Sequence, residues 1–265
     1  MNSRGSLRIT GLVWLLVLSA VMIMAEDTSW SAGTAFTMPK DHWEKGLFQP
    51  LCYGKTDRLE WSTNLIFNPV LPNIRIKVGH GRVQSWYLAS RYNIHYPTPL
   101  LRLLQRPGTG GMIAPDPDIP EIPRILAFGG ELIVTRKLFA SMLLTGRFGV
   151  SLAIRSGELD QRVLIELPVV FPRMMRYLHG YQIVGGTSLL TGIGNTLDFR
   201  LDADFFVIPG VDQPFAWEHK GMVRWRLGNR MRLLGGYELI YGEYPFGKQW
   251  HLIPLIDLQW TGQRK

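Results

Sequence analysis

Asp202 and Asp204 stand two apart in Asp198-Phe199-Arg200-Leu201-Asp202-Ala203-Asp204, a spacing that puts both carboxylates on one side of an extended strand. Two close carboxylates can hold and activate a water for hydrolysis. Asp198 and Arg200 share that side, so the run also reads as alternating charge facing a partner strand. A turn centred at Val211 would set Asp202 opposite Lys220 and Asp198 opposite Arg224, and a turn at Gly228-Asn229 would set Lys220 opposite Glu238. That register predicts a charge ladder over three strands, built from Asp198, Arg200, Asp202, Asp204, Glu218, Lys220, Arg224, Arg226 and Glu238. A two-residue slip would bring Arg200 opposite Arg224, a like-charge contact that disfavours it.

Other chemistry finds little support. No Gly-x-Ser-x-Gly elbow and no His-Glu-x-x-His metal spacing occurs. The six histidines, His42, His80, His95, His179, His219 and His251, are scattered. His219 shares a face with Trp217 and points away from the aspartates, while His251 and Asp257 are six residues apart on one strand, about 20 Å. A single cysteine, Cys52, can form neither an intramolecular disulfide nor a multi-thiolate metal centre. The expectation is therefore no catalytic residues, no metal, no cofactor and no enzyme activity.

The elements that would position these charges are strands. Period-two alternation recurs in segments near ten residues long: His42–Cys52, Arg58–Phe67, Asn73–Val78, Arg82–His95, Arg124–Val134, Phe139–Ile154, Arg162–Val170, Tyr177–Leu189, Thr196–Val207, Phe215–Leu227, Met231–Tyr241 and Trp250–Trp260. This predicts an all-β, closed antiparallel up-and-down barrel of about twelve strands, ten to fourteen at the limits. Short Gly- and Asn-rich connections such as Gly192–Asn195 and Gly228–Arg230 join antiparallel neighbours. Helical periodicity is confined to Thr98–Arg106. The Pro97–Pro123 stretch is the one long irregular connection. With twelve strands it would lie at the same end as the termini, unless the strand count before it is off by one or it folds inward as a plug.

The chain has 265 residues, 46% of them hydrophobic and 19% charged, which suits one folded domain. Arg4 and Arg8 precede an apolar run from Leu12 to Met24, with an acceptable cleavage site after Ala25. The expectation is a secretory signal over residues 1–25 and a barrel domain over 26–265. The formal charge of +8 is then no argument for nucleic acid, which an exported protein does not meet.

Alternation alone does not choose between a soluble barrel with an apolar interior and a membrane barrel with an apolar exterior. Aromatic spacing favours the membrane. Trp217 and Trp225 are eight apart on one face, about 26 Å along a strand and about 20 Å along a membrane normal after a ~40° tilt. Trp250 and Trp260 are ten apart, about 25 Å by the same projection. With Trp61, they form a candidate lipid-facing aromatic girdle. The opposite, polar face mixes cations such as Arg75, Lys77 and Arg147 with acids such as Glu60, Glu131, Glu166 and Asp257 in nearly equal number, as a lumen with paired charges requires.

Met38-Pro39-Lys40, Trp43-Glu44-Lys45-Gly46-Leu47-Phe48-Gln49-Pro50, Tyr53-Gly54, Asp57-Arg58-Leu59-Glu60 and Pro72-Asn73 together resemble a group of uncharacterised bacterial outer-membrane β-barrel proteins. The resemblance is strongest over residues 38–79 and implies location and architecture, with no functional residues to carry over. It implies the outer membrane of a two-membrane bacterium, with outer-membrane lipid and the barrel assembly machinery as partners. The expected role is a passive pore or transport component for small solutes. A structural or adhesive anchor with a closed lumen, or a barrel hydrolase, are the alternatives.

Overall fold

The computed structural model describes residues 31, 33–106, 118–139, 141–165, 167, 169–194, 196–211, 215–244 and 247–264. The expected signal, residues 1–25, lies outside them, as do Glu166 and residues 107–117 of the long connection. Twelve strands close into an antiparallel barrel in which each strand pairs with its sequence neighbours and the last returns to the first. They are β1 (His42–Gly46), β2 (Leu51–Thr56), β3 (Leu59–Thr63), β4 (Asn73–Val83), β5 (Trp86–His95) and β6 (Ile125–Phe139). The second half comprises β7 (Met142–Arg155), β8 (Tyr181–Ile193), β9 (Leu197–Val207), β10 (Phe215–Arg226), β11 (Met231–Tyr244) and β12 (Gly247–Gln263). Two helices interrupt the meander, α1 (Thr98–Leu104) and α2 (Phe171–His179).

The pattern's total of twelve is met through two opposite departures. His42–Cys52 is not one strand but β1, a turn, and the start of β2. Pro50 has no N–H to continue a ladder, and the Asp257 carboxylate accepts from Phe48 N at 3.0 Å and Gln49 N at 3.3 Å, holding the turn. Arg162–Val170 is not a strand: a 3₁₀ turn at Gln161–Val163 leads through a loop into α2. Pro172 sits in the first turn of that helix, and Gly180 ends it in the left-handed region at φ 86°. Tyr177 therefore belongs to α2, and β8 starts only at Tyr181. The Arg58–Phe67 alternation also overruns, because β3 stops at Thr63, where Asn73 accepts from Asn64 N and Thr63 Oγ1.

The extra strand before residue 97 reverses the placement of the long connection. It lies at the end of the barrel opposite the start of β1 and the end of β12, together with 64–72 and the connection from β7 to β8, while the other end carries tight turns such as 57–58 and 84–85. Apolar packing concentrates at that loop end. Leu101, Ile119, Ile122, Ile125, Leu159, Val163, Phe171, Met174, Met175, Ile208 and Tyr244 belong to one buried cluster.

Candidate functional site: the barrel lumen

The register sets Asp198 opposite Arg224, Asp202 opposite Lys220, and Lys220 opposite Glu238. The ion pairs follow that register only in part. Asp198 holds Arg224 at 2.5 Å and Arg226 at 3.2 Å, and Glu238 holds Lys220 at 3.1 Å. Asp202 and Lys220 form no ion pair, which corrects the continuous three-strand ladder. Asp202 is instead bound by Arg200 on its own strand at 2.9 Å, and Lys220 leans to Glu218 at 3.5 Å as well as to Glu238. Asp204 pairs with Arg147 across two strands, reaching β7 over Gly186, where a Cβ would stand 2.0 Å from its carboxylate. The two aspartates thus each carry a separate guanidinium.

Ser31 and residues 33–39, before β1, lie inside the barrel. Their backbone is taken up by wall side chains that face inward from neighbouring strands. Lys77 Nζ donates to Ser31 O at 2.8 Å and Phe36 O at 2.6 Å, and pairs with Glu60 at 3.0 Å. Glu60 in turn accepts from Met38 N at 2.8 Å. Both side chains of this pair are almost fully enclosed, at 4% and 6% exposure. Across the lumen, Ala35 N donates to Thr135 Oγ1 at 2.8 Å, and Phe36 packs on the Tyr87 ring. Gly33 lies against the Arg200 guanidinium. Gly54, opposite Glu60 in the register, lets the segment approach: a Cβ there would be 2.0 Å from Pro39 O. Thr37, Lys40 and Asp41 are fixed by Asp57 O, Asp57 Oδ1 and Tyr53 OH respectively. The residues that carry the sequence resemblance near Met38 and Glu60 are thus those that seat this segment.

At the other end, α2 is bonded to inward-facing residues of the wall. Arg173 makes a two-pronged contact with Glu218 on β10, one arm at 2.7 Å, and the Pro172 carbonyl accepts from Gln182 Nε2 at 2.6 Å. Arg176 donates to Ser151 Oγ at 3.2 Å and lies 3.0 Å from His95 Nε2, which also meets Tyr177 OH at 2.8 Å. Neither α2 nor the residues 31–39 inside the barrel were legible as lumen fillings from the sequence. The Pro172 and Gly180 boundary signals could have located the helix, whereas nothing periodic marks Ala32 to Pro39.

The aromatic residues proposed for the girdle all face outward. Trp61, Trp225 and Trp250 are exposed, at 45%, 50% and 60%. Trp217 is partly covered by His219, stacked at 5.8 Å, and by Trp250 at 6.0 Å, and Trp260 by Lys45 at 5.9 Å. Phe148, Phe205, Trp217, Tyr241 and Trp250 lie in one registered row across the outer face, with Gly185 between the first two. Trp225 and Trp260 lie towards the end that holds the start of β1 and the end of β12. Among the described residues, Lys45, Arg136, Glu243 and Lys248 face outward at or beside strand ends.

No protein-family model matches the chain. No curated protein matches it. Solved structures similar to it include the crystal structure of the Pseudomonas putida toluene transporter TodX, with a TM-score of 0.38 and 8% identity over 83% of this chain and 68% of that one. A likeness at that level carries no argument, and the barrel assignment rests on the strand pairing itself.

Proposed function

We propose that the chain is an outer-membrane barrel that passes small solutes and is held closed, in the form seen here, by residues 31–39. The observation that carries this reading is the Glu60–Lys77 clamp on that segment. A twelve-stranded barrel encloses more space than its own side chains fill, so a watertight form needs an added filling. A filling held by hydrogen bonds to a charged wall can exchange those bonds for water on leaving, which an apolar core cannot do. The lipid-facing reading of Trp61, Trp217, Trp225, Trp250 and Trp260 is supported by an outer face whose mid-strand residues are mostly apolar or aromatic, with Thr187 and His219 among the exceptions. Long connections at one end and tight turns with the start of β1 and the end of β12 at the other fit loops outside and termini in the periplasm. Lipid and the barrel assembly machinery are then the partners, and the paired aspartates serve the wall rather than catalysis.

The apolar cap supports a second reading, an anchor whose lumen never opens. Planar bilayers and liposome swelling with sugars and amino acids separate the two. The wild type is expected to conduct weakly, and removal of residues 31–37 to produce a lasting conductance. If that variant inserts yet neither it nor its combination with Arg173→Ala conducts, the anchor reading replaces the channel. Insertion has its own check. Val223→Lys, mid-strand on the outer face, should cost about 2–4 kcal/mol in a bilayer, and a variant as stable as wild type would place water there.

A further inference from the structure

In the inward wall of β3 to β6, a cation stands outside the ion pairs. Glu60, Lys77, Arg91 and Glu131 occupy one registered row and form two ion pairs, Glu60–Lys77 at 3.0 Å and Arg91–Glu131 at 2.5 Å. The next row towards the loop end is Ser62, Arg75, Asn93, Gly129 and Ser151. Arg75, the one charge of this row over β3 to β7, faces inward between Ile74 and Ile76, yet it is exposed, so open space lies beside it within the barrel. Among the described residues no hydrogen bond or ion pair holds its guanidinium. The charges that act on it include the guanidiniums of Arg91 and of Arg176, reaching down from α2, and the carboxylate of Glu131. Arg91 is paired with Glu131, which leaves Arg75 and Arg176 without a carboxylate partner among the described residues, a charge that an anion would balance.

Two further groups at this level have donors to spare. The Nε–H of Arg176 is buried with no acceptor among the described residues. The Asn93 amide lies flat across Gly129, where a Cβ would be 2.3 Å from its nitrogen, and has no partner among the described residues. We infer that Arg75, Arg91, Arg176 and Asn93 form a binding site for a small dianionic oxyanion, inorganic phosphate or a phosphate monoester, between the N-terminal segment and the α2 cap. Forked guanidinium donors match phosphate oxygens in geometry, and phosphate at neutral pH carries the charge that the cluster lacks. This rests on the channel reading of the same lumen and gives its solute class.

The test is isothermal titration of inorganic phosphate into the full mature protein in dodecyl maltoside at constant ionic strength. Equilibrium binding needs no conduction, so a barrel that never opens in bilayers leaves this result standing, and a conducting barrel without phosphate binding overturns only the site. The expected outcome is saturable binding that Arg75→Gln weakens about tenfold or more, the loss of a charge-assisted contact. Arg75→Gln should also melt no lower than wild type in phosphate-free buffer, because it removes a repelled cation and no bond. Arg136→Gln, on the outer face beside Trp86, should bind phosphate like wild type. No saturable binding, equal loss in Arg75→Gln and Arg136→Gln, or a lowered phosphate-free melting temperature in Arg75→Gln would each overturn the site.

Discussion

At the end of the barrel that holds the start of β1 and the end of β12, the lumen is filled by chain without secondary structure, and at the loop end by a helix. The difference dictates the wall in each half. An extended segment brings unpaired amides and carbonyls with it, and each must find a partner when buried. Lys77, Glu60 and Thr135 provide those partners, so this half of the wall is polar and specific in its geometry. A helix satisfies most of its own backbone, so what it needs from the wall is apolar area. Ile125, Ala127, Ile208 and Tyr244 supply that area at the loop end, with Phe171 packed against the Tyr244 ring at 5.3 Å. One barrel thus contains a hydrogen-bonded stopper and a small conventional core.

The largest effect should come from breaking the polar half at one partner. Lys77→Met removes the cation that holds two carbonyls and strands Glu60 in an enclosed site, at a cost of about 3–5 kcal/mol. Urea unfolding in detergent measures it. Glu60→Gln added to Lys77→Met should recover more than half of that loss, since no buried charge is then left alone. In the apolar half, Leu101→Ala, at a side chain 2% exposed, should cost about 2–5 kcal/mol through the cavity it leaves. Hydrogen exchange should locate that loss in α1 and α2 and leave the amides of β3 and β4 unchanged. Faster exchange throughout the barrel would mean that the two halves are one cooperative unit.

The sequence was most legible where one residue type alternates with another, and least legible where the lumen is filled. Asp198 to Val207 and Phe215 to Trp225 announce their faces, and the turn centres set their register. Residues 31–39 have no period to read, because their conformation is imposed by Glu60 and Lys77, which come together only after β3 pairs with β4. Leu47 and Phe48 looked like continuing strand, and only the Asp257 carboxylate, more than two hundred residues away, turns the chain there. That one turn decides to which end every later loop belongs. Arg162 to Val170 mimicked a strand because apolar residues that pack in a loop over the cap can alternate by chance.

Between the two halves, the charged wall of β9 to β11 gives a smaller and sharper test. Lys220 and Glu238 are both opposite and bonded, so their double-mutant cycle should give a coupling of about 1 kcal/mol or more. Asp202 and Lys220 are opposite but bonded elsewhere, so theirs should stay within about 0.5 kcal/mol. Thermal unfolding of Lys220→Met, Asp202→Asn, Glu238→Gln and the two doubles measures both. A larger coupling for Asp202 with Lys220 would restore the continuous ladder that register alone suggests.

The smallest effect belongs to a polar device on the rim of the apolar half. Asp160 caps the 3₁₀ turn, accepting from Arg162 N at 2.9 Å and from the Arg162 side chain at 2.7 Å, and these bonds hold its carboxyl down to about 2. An unfolded aspartate titrates near 3.9, so the depressed carboxylate stabilises the turn at every pH above about 4 and loses that contribution as pH falls from about 4 to about 2. The group stands at the surface, partly covered, and solvent screening keeps its share of stability small. Asp160→Asn should therefore melt slightly below wild type at neutral pH, with the difference closing towards pH 2. Exchange at α2 should not change, because the helix is held by the packing of Phe171, Met174 and Tyr177 rather than by this cap. A loss of α2 protection in Asp160→Asn would mean that a surface hydrogen bond controls the core beneath it, and the contrast between a polar stopper and a self-packed cap would no longer hold.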